Sequence, residues 1–235
     1  MSTDTCLAIL LDGPLQSWGY SSRFERRTTA LHPTRSGLLG LIAAAVGIDK
    51  YGVNEAAQLA QLEPLRVVTF TLPRRNRRSQ ELLIARLEDY HTVTGIRRAS
   101  GKVDGDATVQ TYRHYLLDAR FGVLVEGPDQ LIGVIEKALR DPKWGIWLGR
   151  KCCIPASPLL ASPAGPRATV WAALLQRVGY TGTEPEDQFD RVVELAATDP
   201  SADMIDDAPI AFGAPIGNRH NPRWIRRVPR SGSPA

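Results

Sequence analysis

The chain has 235 residues, of which 43% are hydrophobic and 23% charged, a composition typical of a globular protein with one sizeable core or two small ones. Its longest uncharged apolar run, 37–48, is too short for a membrane span of roughly 20 residues, and the start "MSTDTC" lacks the basic segment of a signal peptide. The three cysteines show no C-x-x-C spacing, which argues against a disulfide framework or a zinc site. We therefore expect a cytoplasmic protein with no cofactor, no metal ion and no membrane association.

The net charge is +4, and 24 of the 29 cationic residues are Arg because only five are Lys. GC-rich codon usage would explain the number of Arg residues but not their clustering. Arg makes forked contacts to phosphates and stacks on bases, so the clusters favour a nucleic-acid partner.

Apolar periodicity predicts six elements in chain order. Strands are predicted over 6–11, 65–72, 121–125 and 144–148, and helices over 35–46 and 128–140. The order β-α-β-β-α-β is that of the α+β ferredoxin-like fold, which RNA-recognition (RRM-like) modules share.

A long insertion separates the second and third predicted strands. Hairpin loops are usually about 2–5 residues long, whereas the interval 73–112 has 40 residues. It contains two basic clusters, made of Arg74, Arg75, Arg77, Arg78, Arg97 and Arg98. We interpret it as a projecting basic arm, and the alternative is a solvated loop without function.

The chain changes character after residue 151. Residues 152–168 are rich in Pro, Ser and Ala, 184–207 are acidic, and 219–230 contain five Arg residues. We therefore divide the chain into a body, 1–151, and a strand-rich C-terminal extension with a basic tail, 152–235.

The first predicted helix has an unusual start, in "HPTRSGLLGLIAAAVG". Thr34 is placed to cap it, and Arg35, Ser36 and the bare backbone of Gly37 add hydrogen-bond donors. A helix N-terminus carries unpaired N–H groups and about half a positive charge, so this start favours a phosphate. The alternative is a simple Thr34 cap with the Arg35 side chain in solvent.

A second candidate contact follows the first strand, in "GPLQSWGYSSRFERR". Trp18 offers an aromatic face for a base, and Arg23, Arg26 and Arg27 offer cations for phosphates. The alternative is a structural loop in which Trp18 is buried.

Signals for catalysis are weak. "TYRHY" at 111–115 places Tyr112 and His114 on one face of an alternating strand, and His91 lies in the insertion. A Tyr/His pair can perform metal-free RNA cleavage by general acid–base chemistry, but aromatics interleaved with cations can equally bind RNA. No acidic cluster in the sequence predicts a magnesium site.

Five motifs, in order and at matching spacing, resemble the CasD family of the type I-E CRISPR Cascade complex. They are "LLDGPLQSWG", "HPTRSGLLGLIAAAVGI", "DYHTVTG", "TVQTYRHYLLDARF" and "LGRKCCIPASPL". The resemblance is strong over residues 6–160 and weak beyond them. It implies a ferredoxin-like body with a thumb at 73–112, which grips the single-stranded 5′ handle of the guide RNA (crRNA).

The resemblance also implies partners and RNA-binding residues. The partners are the Cascade backbone subunit, the large subunit and the crRNA, with target DNA reached only through the complex. The implied RNA-binding residues are Gln16, Ser17, Trp18, Gly19, Arg23, Arg27, Thr34, Arg35, Ser36, Gly37 and Arg113. We expect a non-catalytic RNA-capping subunit for antiviral DNA targeting. The alternatives are a metal-independent endoribonuclease that processes precursor crRNA and, with less support, a small-molecule phosphate-binding enzyme.

Overall fold

Two sheets and four helices organise the protein in a computed structural model, which describes residues 4–19, 25–95, 108–213 and 217–232. The strands are β1 Asp4–Asp12, β2 Leu15–Gln16, β3 Arg26–Arg27, β4 Arg66–Thr71, β5 Ala85–Thr94, β6 Thr108–Leu117, β7 Arg120–Pro128, β8 Arg191–Glu194, β9 Asp203–Ala211 and β10 Arg219–Val228. The helices are α1 Arg35–Val46, α2 Glu55–Ala60, α3 Asp129–Arg140 and α4 Arg167–Arg177.

The larger sheet has the strand order β1-β7-β4-β8-β10-β9, and its neighbouring strands are all antiparallel. Helices α1 and α3 pack against β1 in one core, and α4 packs against the other face of β1 in a second core. Strand β1 therefore reads as a continuous apolar run because alternate side chains enter the two cores. The architecture is α+β with a mostly antiparallel sheet.

Most of the predicted elements are present. The expected strands at 6–11, 65–72 and 121–125 correspond to β1, β4 and β7, and the two expected helices correspond to α1 and α3. Thr34 caps α1 by accepting a hydrogen bond from the Gly37 amide at 3.3 Å, and α1 ends at Gly47, whose φ of 92° is left-handed. Helices α2 and α4 were not predicted.

The strand predicted over 144–148 is wrong. These residues form a loop whose backbone bonds elsewhere: the Leu148 amide donates to the Cys153 carbonyl, and the Leu148 carbonyl accepts from the Ser17 amide. An irregular extended segment, 159–165, lies beside β1 instead. Its hydrogen bonds include a reciprocal pair between Cys6 and Gly165 at 3.0 and 2.9 Å.

The long insertion forms a hairpin of β5 and β6, paired from Ala85↔Leu117 to Thr94↔Thr108. Strand β6 continues to Leu117, five residues beyond the predicted end of the insertion at 112. The other edge of β6 pairs with the short strands β2 and β3, which completes the second sheet. The hairpin is therefore attached to the rest of the second sheet through the outer edge of β6.

Strands β8, β10 and β9 extend the larger sheet beyond β4. The C-terminal part of the chain thus contributes three strands to the same sheet as β1, β4 and β7. No helix in the described part of the chain is long and apolar enough to span a membrane.

Candidate nucleic-acid interface

The N-terminus of α1 is occupied by a carboxylate of the protein itself. Asp207, on β9, is 1% exposed, and its Oδ2 accepts a hydrogen bond from the Arg35 amide at 2.8 Å. Arg223, on β10, donates from Nε and Nη2 to the two carboxylate oxygens, both at 2.7 Å. The anion predicted at this helix start is therefore Asp207, and the helix dipole stabilises it there.

The Arg35 side chain is also enclosed by the protein. It is 7% exposed, and its guanidinium donates to Glu194 Oε1 at 2.8 Å and to the carbonyls of Leu65 and Glu63 at 3.0 and 3.2 Å. The expectation that Arg35 binds an RNA phosphate is wrong because its donors face internal acceptors, and the alternative of a solvated side chain is wrong as well.

Gly37 has a packing role. A Cβ at this position would lie 2.8 Å from Cε3 of Trp18, so the missing side chain lets the indole lie against α1. Thr34 is buried, whereas Ser36 and Gly37 are half-buried.

The segment 16–18 is buried and rigidly bonded. The Trp18 indole, 1% exposed, donates to Gln16 Oε1 at 3.0 Å. The side-chain amide Nε2 of Gln16 in turn donates to the backbone carbonyls of Leu11 and Ala119 at 3.0 and 2.7 Å. Trp18 and Gln16 are thus core residues here, and the expectation that Trp18 stacks on an RNA base is wrong.

Two neighbours complete this part of the predicted site. Ser17 is also buried, and its hydroxyl donates to the His114 carbonyl at 3.2 Å. It is thus a structural residue too, whereas Gly19 is exposed. Arg23 lies outside the described residues.

One face of the second sheet carries cations, and we name Arg27, Arg113 and Arg150 the cationic face. Arg27 pairs with Arg113 in the parallel register of β3 and β6, so the two side chains lie side by side. Arg150 bonds the carbonyls of Arg27 and His114 at 2.8 and 3.1 Å, and its Cζ lies 4.7 Å from the centre of the Tyr115 ring. Arg150 was not predicted as a site residue, although it lies within the motif "LGRKCCIPASPL".

The opposite face of the same sheet is aromatic, and we name Arg26, Glu88, Tyr90, Tyr112 and His114 the aromatic face. The rings of Tyr90 and Tyr112 lie 5.4 Å apart, and the Arg26 guanidinium lies 5.1 Å from the Tyr112 ring centre. His114 Nε2 lies 2.6 Å from Glu88 Oε2. The sequence placed Tyr112 and His114 on one face correctly, but it did not reveal the partners from β3 and β5.

The candidate catalytic residues are only partly brought together. His91 pairs with Thr111 across the hairpin, and alternation along β6 places Thr111 on the face opposite to Tyr112 and His114. His91 therefore faces away from the other two. The structure shows no group of three or more His, Cys, Asp or Glu residues within its described ranges that could hold a metal ion.

The first basic cluster of the insertion divides into two pairs. Arg74 folds back onto the body, where it pairs with Asp12 and donates to the Asp118 carbonyl at 2.7 Å. Arg75 lies 3.9 Å from Glu81 and 5.0 Å from the Tyr180 ring centre. Arg74 does not project as expected, because body residues pair with it, whereas the Arg75 side chain is 52% exposed. Arg77 and Arg78 are exposed, and Arg97 and Arg98 lie outside the described residues.

Burial suppresses the chemistry of two cysteines. It raises the pKa of the Cys6 thiol and of the Cys153 thiol to about 12. Both side chains are therefore protonated at neutral pH, and a thiol in that state is a poor nucleophile and metal ligand.

Comparison with known proteins identifies the family. The sequence profile of the family described as "CRISPR-associated protein (Cas_Cas5)" matches residues 6–214. The chain belongs to this Cas5 family. Among curated proteins, it is 36% identical over 156 residues to the CRISPR system Cascade subunit CasD of Escherichia coli strain K12. The aligned region covers 65% of this chain and 68% of that protein. The resemblance found in the five motifs is thereby confirmed.

Solved structures of similar chains agree with this family. A chain of a "CRISPR RNA-guided surveillance complex" matches with a TM-score of 0.72 and 27% identity, over 96% of this Cas5-family chain and 90% of the other. A second structure, described as a Cas protein, matches with a TM-score of 0.60 and 27% identity, over 97% of each chain. The fold of this family member is therefore shared over nearly its whole length.

Proposed function

We propose that this member of the Cas5 family is a non-catalytic subunit of a CRISPR surveillance (Cascade) complex, where it binds and caps the single-stranded 5′ handle of crRNA. Its similarity to a Cascade subunit and to a chain of an RNA-guided surveillance complex supports this role. The partners would be the crRNA, the backbone subunit and the large subunit, and target DNA would be reached only through the complex.

The cationic face is the observation that carries the proposal. Arg27 is exposed and Arg113 is half-buried beside it. Two guanidinium groups on neighbouring strands can neutralise successive phosphates, and such contacts provide most of the affinity for nucleic acid. Arg150 fixes the strand positions beneath them through its bonds to two backbone carbonyls.

The fold supports the same role. The order β1-β7-β4, with α1 and α3 on one face and residues 159–165 beside β1, fits a ferredoxin-like core with an irregular fourth strand. The hairpin of β5 and β6 would then be the thumb. Leu87 on β5 is 39% exposed and Leu83, just before β5, is 94% exposed. An exposed apolar surface of this kind suits a contact with the neighbouring backbone subunit.

The alternative function is a metal-independent endoribonuclease, which one observation favours. The His114–Glu88 contact of 2.6 Å lies on the same strand face as Tyr112, and a carboxylate can orient a histidine for general acid–base chemistry. His91 cannot be the partner group because it lies on the other face. We favour binding without cleavage.

Binding of repeat-derived RNA at several salt concentrations tests the proposal. Arg27→Ala and Arg113→Ala should each weaken binding and reduce the slope of log affinity against log salt by about 0.7 per lost phosphate contact. Arg140→Ala is the matched control, because Arg140 is exposed on α3 and paired with Glu136, so it should change neither quantity. Unchanged slopes in both test variants would remove the cationic face from the interface.

Incubating repeat-containing RNA with the purified protein, with and without EDTA, tests the nuclease alternative. We expect intact RNA in both cases. A specific cut that leaves a 5′-hydroxyl and a 2′,3′-cyclic phosphate, and that disappears in His114→Ala, would establish the nuclease instead.

A further inference from the structure

We propose that the aromatic face is a stacking site for one unstacked base of single-stranded RNA. This inference rests on the proposed function and deepens it, because it assigns a base-binding role to Tyr90, Tyr112 and Arg26 in addition to the phosphate contacts of Arg27 and Arg113.

The three side chains form a row across three strands. Tyr90 on β5 is opposite Tyr112 on β6, and Tyr112 is in turn opposite Arg26 on β3. Neighbouring strands lie about 4.8 Å apart, so the row spans about 10 Å, enough to accommodate a base. Sheet surfaces that carry aromatic side chains stack bases in this way in RNA-recognition modules.

Tyr90 is the accessible member of the row. It is 53% exposed, although it lies within a ten-residue strand whose hydrogen bonds fix the backbone. Its ring is tilted by 54° to that of Tyr112 at a centre-to-centre distance of 5.4 Å, so Tyr112 supports it from one side. An exposed tyrosine held by a second ring loses little side-chain entropy when a base stacks on it.

Arg26 completes the site with a planar cation. Its guanidinium lies 5.1 Å from the Tyr112 ring centre, and its side chain is largely exposed. Glu88 Oε2 lies 3.9 Å from Arg26 and 2.6 Å from His114, so one carboxylate positions both neighbours. Arg stacks on bases as well as pairing with phosphates, and this position gives a bound base a second planar contact.

The arrangement also explains how one strand of RNA would use both faces. Arg26 and Arg27 are consecutive residues of β3, so their side chains point to opposite faces of the sheet. An RNA strand that passes along β3 can leave its phosphates near Arg27 and turn one base toward Arg26 and Tyr90. Phosphate and base contacts are then separable by mutation.

The test uses the full chain and a series of short single-stranded RNAs, each with one 2-aminopurine placed at a different position. Stacking quenches 2-aminopurine fluorescence, so we expect strong quenching at one or two positions only. Tyr90→Leu should abolish that quenching and weaken binding between about fivefold and about a hundredfold, while Tyr90→Phe should retain both. The salt slope should stay unchanged, because a base contact neutralises no phosphate.

Tyr51→Leu is the matched control. Tyr51 is also exposed and has a cation near its ring, with Lys50 Nζ 4.7 Å from the ring centre, but it lies between α1 and α2 and is not part of the second sheet. This variant should leave quenching and affinity unchanged. Thermal unfolding of the Tyr90 variants should match that of the unmutated protein because the side chain is mostly in solvent.

Three results would overturn the stacking site. If Tyr90→Leu leaves quenching and affinity unchanged while Arg27→Ala still lowers the salt slope, the stacking site is wrong and the proposed function stands. If neither variant has an effect on RNA binding, both proposals fail. If Tyr90→Leu binds RNA normally but no longer assembles with the other subunits, the aromatic face is a protein contact.

Discussion

The buried ion cluster at the start of α1 gives a quantitative prediction for Asp207→Ala. The substitution removes the acceptor of three hydrogen bonds, one from the Arg35 amide and two from the Arg223 guanidinium. Arg223 would keep Glu194 as a charged partner, at 2.9 Å, and its side chain is 11% exposed. Removing one partner of a buried ion pair costs about 3–5 kcal/mol, which for a chain of this size lowers the melting temperature by about 6–20 °C.

Urea unfolding followed by far-UV circular dichroism measures this loss. Asp206→Ala is the matched control, because Asp206 is the adjacent residue on β9 and is exposed, so its replacement should change the free energy of unfolding by less than about 0.5 kcal/mol. A double-mutant cycle with Arg223→Ala should show a coupling energy of about 1–3 kcal/mol. A loss below about 1 kcal/mol in Asp207→Ala would refute the view that this carboxylate stabilises the helix start and its arginine.

Two further predictions concern single residues. Burial, followed by the nearby Arg227 charge, lowers the pKa of His32 below its ordinary value of 6.5. The unfolded chain therefore binds more protons than the folded one as the pH falls through about 6.5, and the urea midpoint should decrease there. His32→Gln should remove part of that decrease. His220 should account for another part, because burial lowers its pKa too. An identical pH profile in the variant would contradict this prediction. Gly149→Ala should cost more than about 2 kcal/mol in thermal unfolding, because Gly149 has a φ of 97° and a Cβ there would lie 1.8 Å from the Ser17 carbonyl oxygen. Gly232→Ala, with a φ of 82° and no atom within 4 Å of the added Cβ, is its control and should cost clearly less.

Local signals in the sequence were sufficient to predict β1 and the helices α1 and α3. The apolar run of β1, the Thr34 cap and the amphipathic pattern of α3 each act within a few residues, so periodicity and capping rules detect them. The segment 144–148 misled the same rules. It is a short apolar run, as a buried strand would be, but its Leu148 backbone groups bond to Cys153 and Ser17 instead of a neighbouring strand.

The candidate site was harder to predict because its partners are distant in sequence. Arg35 is separated from Glu194 by 159 residues and from Asp207 by 172, and no local pattern indicates which carboxylate will neutralise a helix start. Tyr90 and Tyr112 meet only because the two hairpin strands pair in one particular register. The sequence therefore indicated cationic and aromatic side chains in these segments, but not which of them would be buried.

The separation between Arg35 and Asp207 has a consequence for synthesis of the chain. At about 5–20 residues per second, the ribosome needs about 9–34 s to add the 172 residues between them. Throughout that time α1 lacks its carboxylate. From the synthesis of β4 until that of β8, the edge of β4 that later pairs with β8 is open to other strands, a recognised route to aggregation. A chain truncated after Asp190 would keep that edge open permanently, so we expect it to aggregate and not to form a smaller folded protein.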